Sequence, residues 1–184
     1  MATSKILVER SARIVSPKAR ASYPTLFVPR AFDSNSEAKY SITLMVHKDA
    51  EGDAFRGKVE VLQQDALGLL VKGKKLPANV ERWGITDGDD SDDEAAHDHW
   101  LFKCSSKVRP AVIDQNKEPI VDSDVVYGGC YVRGNFCAKA YGSAAKAGVA
   151  LELVAVQMVG DGEPFGGAGK ARAQAMDEFD DASF

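Results

Sequence analysis

The sequence has few cysteines and lacks a long apolar run. Its 184 residues include only Cys104, Cys130 and Cys137, an odd number without the spacing of a disulfide framework. This usage is typical of a reducing compartment, so we expect a cytoplasmic protein. No stretch approaches the roughly 20 apolar residues that span a membrane, and the first 15 residues are too charged for a signal peptide. We therefore predict no association with membranes.

Motifs of catalysis and of nucleotide binding are also missing. The sequence contains no GxSxG nucleophile elbow, no GxxxxGK[ST] loop and no GxGxxG. The Gly-rich stretch 160–170 follows a predicted strand, but no amphipathic helix follows it to supply a phosphate-binding N-terminus. We therefore predict a protein that is not an enzyme and that has no cofactor.

Metal-ligating residues do not occur with the usual spacing. His97, His99 and Cys104 lie close in sequence, but no CxxC or HxxxH accompanies them. The acidic segment 87–98 departs from a calcium-binding loop, because its sixth residue is Asp where Gly is needed and its twelfth is Asp in place of Glu. We therefore predict no metal site and interpret the segment as a solvated or regulatory loop. A metal-dependent nuclease that uses these acids is a remote alternative.

Positive charge is in the minority overall, since 27 acids outnumber 23 Lys and Arg. The acids are concentrated, however. Segment 87–99 holds seven of them, the last eight residues (DEFDDASF) hold four, and neither segment contains Lys or Arg. Removing these 11 acids leaves 16 against all 23 bases, a net charge of +7. A basic body with separate acidic segments indicates a polyanionic partner.

Hydrophobic periodicity predicts a mostly β protein with one helix. Alternating or short apolar runs indicate strands at 5–15, 39–47, 99–106, 108–114, 127–141 and 148–159. Pro24 and Pro29 argue against a long central strand between residues 18 and 32, since each removes a ladder donor. Residues 76–98 read as a long loop. The fold class is all-β to α+β, because strands and helices do not alternate.

The predicted helix covers residues 53–71 and is expected to cap a sheet. Its apolar residues recur at steps of three and four, namely Phe55, Val59, Leu62, Ala66, Leu69 and Leu70. From residue 160 onwards, Gly, Ala and acids dominate. We therefore predict a folded domain at 1–160 and a flexible acidic tail at 161–184.

The segment from Tyr127 to Tyr141 has two contrasting faces as a strand. One face is small and apolar. The other interleaves aromatic, cationic and polar residues: Tyr131, Arg133, Asn135, Cys137, Lys139 and Tyr141. Such a face suits a single-stranded nucleic acid, because cations meet phosphates and rings stack on bases. An ordinary half-solvated strand has a similar pattern, so this segment alone does not decide between the two.

Several motifs in order resemble a known family. They are ARASYPTLFVPRAF, AKYSITLMVHK, a helix, SKxRPxVxD at 106–114, YxGxYxR at 127–133, and an acidic tail ending in Phe. Together they resemble the bacteriophage single-stranded DNA-binding proteins of OB-fold type. The resemblance implies a five-stranded OB-like β-barrel with one inserted amphipathic helix. It also implies a protein that coats single-stranded DNA in phage replication and recombination, in the host cytoplasm, without strong sequence preference.

The resemblance also implies site residues and partners. The DNA face carried over from the family comprises Tyr23, Lys39, Lys107, Arg109, Tyr127, Tyr131 and Arg133. We add Arg20, which lies in the basic stretch near Tyr23. The strand pattern adds Asn135, Lys139 and Tyr141. The tail, expected to recruit polymerase or helicase and to compete with DNA, comprises Asp177, Glu178, Phe179, Asp180, Asp181 and Phe184. The alternative is a non-enzymatic phage structural or interaction protein.

Overall fold

The computed structural model describes residues 6–143, 145–166 and 175. Within these residues it has nine strands and one long helix. The strands are β1 (Leu7–Val15), β2 (Ala19–Arg30), β3 (Lys39–His47), β4 (Val80–Arg82), β5 (Ile85–Asp87), β6 (His99–Ser106), β7 (Ala111–Ile113), β8 (Tyr131–Gly142) and β9 (Ala147–Gly160), and the helix is α1 (Ala50–Val71). Short 3₁₀ helices lie at Gly88–Asp90, Glu94–Ala96 and Ser123–Val125.

Five of the strands pair into a closed ring. Strand β8 pairs with β2, β2 with β3, β3 with β6, and β6 with β9, which returns to β8. The β6–β9 pairing is parallel and short, joining Cys104 to Leu151 and Ser105 to Glu152, whereas the other four are antiparallel. A ring of this kind leaves few open sheet edges. It confirms the predicted mostly-β, OB-like fold with one inserted helix.

Strand β8 shows the predicted alternation. Val132, Phe136 and Ala140 are buried on the inner face, while Tyr131 and Arg133 are at least partly exposed on the outer face. The exception is Cys137, which is on the outer face yet only 4% exposed. Its neighbours on the two adjacent strands are Arg13 of β1 and Glu152 of β9, and the charged groups of Arg10 and Lys139 also lie near it.

Three phenylalanines form the centre of the core. Phe55 of α1 lies 5.0 Å from Phe102 of β6 and 6.2 Å from Phe136 of β8, ring centre to ring centre and edge to face. Edge-to-face rings contribute beyond the area they bury. Helix α1 thus caps one side of the ring, as predicted.

The helix begins three residues earlier than predicted and ends where predicted. It begins at Ala50 because the Asp49 carboxylate accepts a hydrogen bond from the Gly52 N–H (2.8 Å), a typical N-cap. The prediction that Leu69 lies on the inner face of the helix was wrong. Leu69 is 52% exposed, and Leu67 is buried instead. The second half of α1 packs Leu67 against the small residues of β8 and β9, a neighbour that periodicity alone does not reveal.

Strand β2 runs through both prolines where no strand was predicted, but it is not the long central strand that the prolines argue against. Strand β8 pairs with only the first two residues of β2, Ala19 and Arg20. From there on, the pairings described for β2 are with β3 alone, so Pro24 and Pro29 remove no hydrogen bond from a second neighbour. Irregular register along β2 and a positive φ of 47° at Tyr23 accompany this change of partners.

The segment 76–98 is more ordered than the loop that was predicted. Strand β4 pairs with β9, and β5 pairs with β6. The connection between them crosses the β6–β9 junction, where the Trp83 N–H donates to the Val149 carbonyl (2.8 Å) and Gly84 accepts from the Lys103 N–H (2.7 Å). Gly84 has a φ of 104°, and a Cβ there would lie 2.7 Å from Leu151. Glycine is therefore required at this crossing.

The acidic run is organised around Lys48. The ammonium group of Lys48 pairs with the carboxylates of Asp87 and Asp89, and these hydrogen bonds lower the pKa of both acids. Asp89 also accepts a hydrogen bond from the Asp98 N–H (2.7 Å).

In the part of the chain that the structure describes, no three His, Cys, Asp or Glu side chains are placed to hold a metal ion. No described helix has both the length and the apolar character needed to cross a membrane.

The three cysteines are buried free thiols. Burial raises the pKa of Cys130 to about 11, and it also raises the pKa of Cys104 and Cys137. Thiols in such surroundings are neutral near pH 7 and are poor nucleophiles and metal ligands.

Candidate nucleic-acid interface

Four of the predicted residues line one groove on the outside of the ring. Lys39 of β3, Lys107 after β6, and Lys139 and Tyr141 of β8 surround a volume of about 360 Å³. The groove crosses the short β6–β9 pairing, so Ser105, Leu151 and Glu152 also line it. The structure therefore brings together residues that are about 100 positions apart in the chain.

The groove continues towards the β2–β3 turn. Lys39, Ser105 and Lys107 also border an adjoining space of about 560 Å³, whose far side is formed by Arg30 and Phe32. The Phe32 ring is 97% exposed. We call the two spaces together the first groove. Arg30 and Phe32 were not among the predicted site residues, although the mixture of aromatic and basic residues between 18 and 32 indicated this stretch.

Two acids compensate the lysines of the first groove. Glu37 pairs with Lys107 at 2.6 Å, and both side chains are well exposed. Glu152 pairs with Lys139 at 2.9 Å and with Arg10 at 2.5 Å. Burial raises the pKa of Glu152, but the hydrogen bonds from Arg10 and Lys139 outweigh burial, and the net pKa is lowered. A phosphate group that enters the groove would compete with these carboxylates for the lysines.

Tyr141 contributes an aromatic ring to the lining of the first groove. Its ring lies against the backbone of Gly148, where a Cβ would be 2.6 Å from the ring, and glycine thus lets the ring lie close to β9. Burial raises the pKa of Tyr141, with a further contribution from the nearby Glu81 carboxylate. The hydroxyl therefore stays protonated in the range where the protein would work.

Arg20 and Tyr127 contact a different part of the chain, the segment 161–166. The Tyr127 hydroxyl accepts a hydrogen bond from the Gly162 N–H (3.1 Å) and donates towards Asp161 or the Gly162 carbonyl. The Arg20 guanidinium donates to the Glu163 carbonyl (2.6 Å). Burial raises the pKa of Tyr127. The prediction that these two side chains contact DNA stays untested.

Phe165 completes this contact. Its N–H donates to the Gly128 carbonyl (2.9 Å), its ring lies 4.2 Å from the Arg20 guanidinium, and it packs against Met45 and Leu101. Gly129 has a φ of 110°, and a Cβ there would lie 2.1 Å from the Glu163 carbonyl oxygen. The glycine of YxGxYxR thus permits close passage of residues 161–166. The proposed boundary at 160/161 stays a prediction.

The other predicted residues line neither part of the first groove. Tyr131 lies under the Lys18 ammonium group, 4.8 Å from its ring centre. Arg133 donates to the Ser16 carbonyl (3.1 Å). Tyr23 is 80% exposed on β2, and Arg109 lies 5.5 Å from the Phe27 ring.

Asn135 stands apart from these residues because its side-chain oxygen is buried. Among the described residues, this oxygen has no hydrogen-bond partner.

Six predicted tail residues, namely Asp177, Glu178, Phe179, Asp180, Asp181 and Phe184, lie outside the described part of the chain.

The fold and the groove together define a class of protein. A five-stranded closed ring with one inserted helix, and an outer groove of lysines and aromatic rings, is the architecture of OB-like nucleic-acid-binding domains. The chain belongs to the family of the single-stranded DNA-binding protein of Enterobacter phage Enc34, whose model matches residues 12–183.

The chain is also similar to individual proteins. The chain is similar to protein p50 of Acyrthosiphon pisum secondary endosymbiont phage 1, with 28% identity over 89% of this chain and 90% of the relative. It is also similar to the Enc34 single-stranded DNA-binding protein solved in complex with single-stranded DNA: the TM-score is 0.72 and the identity 26%, covering 84% of this chain and 89% of that one. The bacteriophage T7 single-stranded DNA-binding protein gp2.5 shares the fold, with a TM-score of 0.61 at 16% identity, covering 89% and 94% of the two chains.

Proposed function

We propose that the protein binds single-stranded DNA in the first groove, without strong sequence preference. The observation that carries the proposal is the gathering of Lys39, Lys107, Lys139 and Tyr141 around one groove. The family and the solved Enc34 complex with single-stranded DNA support it. The chain has no motif of catalysis, so we propose a binding protein and not an enzyme.

The side chains of the first groove suit a flexible single strand. Lysine ammonium groups attract phosphates as point charges at any sequence. The exposed Phe32 ring and the partly exposed Tyr141 ring offer surfaces on which bases stack, and each stacked base contributes about 1–3 kcal/mol. Every base has such a face, so stacking discriminates little between sequences. A base pair would hide these faces, and a duplex is therefore expected to bind less well.

The biological role we propose is that of a coating protein in phage DNA replication and recombination, acting in the host cytoplasm. The domain would comprise residues 1–160 and the acidic tail residues 161–184. Polymerase or helicase partners would bind the end of the tail through its four acids and through Phe179 and Phe184. These roles follow from the family resemblance and from the acidic composition of the last eight residues.

A direct binding measurement tests the proposal. We expect oligothymidylate to bind well at low salt and an equally long duplex much more weakly, and we expect the affinity for the single strand to fall steeply as salt rises. Fluorescence anisotropy with labelled DNA measures both. Equal binding of the two forms, or binding of neither, would reject the proposal, and assembly into particles that ignore oligonucleotides would favour the structural alternative.

Deleting residues 177–184 should tighten binding to single-stranded DNA at low salt by at least about threefold, and this gain should disappear at high salt. The four acids of this segment can compete with phosphates for the lysines of the first groove, and the tether keeps their effective concentration high. The control is a full-length variant with Phe179→Ala and Phe184→Ala, which keeps all four acids and should bind like the wild type. Unchanged or weaker binding after the deletion would contradict tail competition.

A further inference from the structure

Both tryptophans of the chain line a second groove that the proposed function does not use. This groove has a volume of about 540 Å³ and lies between helix α1 and strands β4 and β5. The residues that matter for its chemistry are Arg56, Gln64, Arg82, Trp83, Thr86 and Trp100. We call this space the second groove.

Trp83 is exposed but held in place. The side chain is 56% exposed, which is unusual for so large an apolar ring. The backbone N–H of Trp83 donates to the Val149 carbonyl (2.8 Å), and the backbone carbonyl of Trp83 accepts from the side-chain amide of Gln63 (2.9 Å). Gln63 is only 4% exposed. The backbone from which the exposed ring projects is therefore held on both sides.

A second stacking surface lies across the groove. The Arg56 guanidinium lies 4.2 Å from the Trp100 ring centre and pairs with Glu60 at 3.0 Å. The Trp100 ring is itself fixed, because its N–H donates to the Asp53 carboxylate (2.7 Å). A guanidinium plane held in this way offers a face on which a nucleobase can stack, as aromatic rings do.

The charges of the second groove differ from those of the first. Arg56 is compensated by Glu60, and Asp87 by Lys48. The hydrogen bond described for Arg82 is to the Gln64 side chain, at 3.4 Å, so Arg82 is the cation most readily turned towards a phosphate. The near balance of charge favours recognition by stacking and by amide and hydroxyl groups over attraction of the backbone.

Trp83 of the second groove lies close to Tyr141 of the first. The Trp83 indole is near enough to interact with the Tyr141 hydroxyl, and Tyr141 lines the first groove. A strand that passes over Tyr141 is therefore close to Trp83.

We infer that the second groove takes one or more bases of single-stranded DNA, which stack on Trp83 and on the Arg56 guanidinium. This inference rests on the proposed function, since the strand would arrive from the first groove. Gln64 and Thr86 would bond to base edges, and Arg82 to a phosphate. A protein partner could use the same residue types, because Trp and Arg are enriched at interfaces, but the nearness of the first groove favours DNA.

Trp83→Ala tests the inference with oligothymidylates from about 4 to about 16 nucleotides, the range of site sizes of OB folds. We expect the variant to lose about 5- to 150-fold in affinity for the longest strands, the loss of one stacked base. The salt dependence should be unchanged, because no charge is removed. Trp83→Phe keeps an aromatic face and should recover most of the affinity. In a Trp100→Phe variant, the emission of Trp83 alone should be quenched when the strand binds.

The outcomes separate this inference from the proposed function. If no single strand binds the wild-type protein, both fail. If the wild type binds DNA, but Trp83→Ala binds every length within about twofold of it and Trp83 emission does not change, the second groove takes no base and only the inference is overturned. Circular dichroism and a thermal melt confirm that each variant is folded.

Discussion

The double variant Lys39→Ala/Lys107→Ala should bind single-stranded DNA about 30- to 150-fold more weakly than the wild type at low salt. Both lysines lie on the border shared by the two parts of the first groove. Each exposed phosphate contact contributes roughly 1–1.5 kcal/mol, between a typical neutral hydrogen bond and the low end for hydrogen bonds to charged groups. The slope of log K against log salt should also become shallower by about 1.4, the value for two phosphate contacts on a single strand. Anisotropy titrations at several salt concentrations measure both quantities.

A matched variant distinguishes the groove from general charge. Lys58→Ala/Lys74→Ala removes the same two charges from exposed positions on and just after helix α1, and neither residue lines either groove. It should lose less than about threefold in affinity, an effect of net charge alone. If both double variants weaken binding equally, the lysines act through the overall field of the protein, and the DNA path lies elsewhere.

The contact between Tyr127 and segment 161–166 bears on the same question. Tyr127 and Arg20 belong to the surface expected to meet DNA, yet in the structure they contact residues of the chain itself, and so does the neighbouring Gly129. The first groove shares no lining residue with this contact. Binding in the first groove therefore does not require segment 161–166 to move, and DNA that reached Tyr127 would have to displace it.

Local patterns were sufficient for strand β8 and helix α1. The alternation of β8 and the three-four spacing of α1 are set by burial on one face, which leaves a direct trace in the sequence. The errors arose where a distant partner decides the outcome. Pro24 and Pro29 fit in β2 only because β8 leaves it after Arg20. Likewise, β4 and β5 are too short to show a period, and they form because β9 and β6 offer them edges.

The candidate site was predictable in part for the same reason. The family resemblance identified Lys39 and Lys107, and the strand pattern identified Lys139 and Tyr141, but only the ring topology shows that they border one groove. Phe32 was overlooked as a site residue because a lone Phe in a turn has no periodic partner. Trp83 and Trp100 belong to segments 17 residues apart, and the β5–β6 pairing brings them to the same groove. The sequence therefore indicated which side chains could contact DNA, but it did not show which of them lie together in the folded protein.

Phe102→Ala should produce the largest loss of stability among single substitutions in the core. The Phe102 ring is fully buried and lies next to both Phe55 and Phe136, so its removal leaves a cavity where the helix meets the ring. Losses for Phe→Ala in cores are about 3–5 kcal/mol in the free energy of unfolding. In a protein of this size they correspond to a decrease in Tm of roughly 6–20 °C. Urea and thermal unfolding followed by circular dichroism measure the change.

Leu69→Ala is the control for Phe102→Ala. Leu69 has the right spacing for the inner face of α1 but is 52% exposed, so its truncation should change the free energy of unfolding by no more than about 0.5 kcal/mol. A large loss at Leu69 would mean that α1 is rotated relative to the ring. A small loss at Phe102 would mean that the three phenylalanines do not hold the helix on the ring of strands.

Phe102 does not line the first groove, so Phe102→Ala should still bind single-stranded DNA at temperatures well below its own Tm. Loss of binding by the folded variant would instead show that the cap controls the shape of the groove.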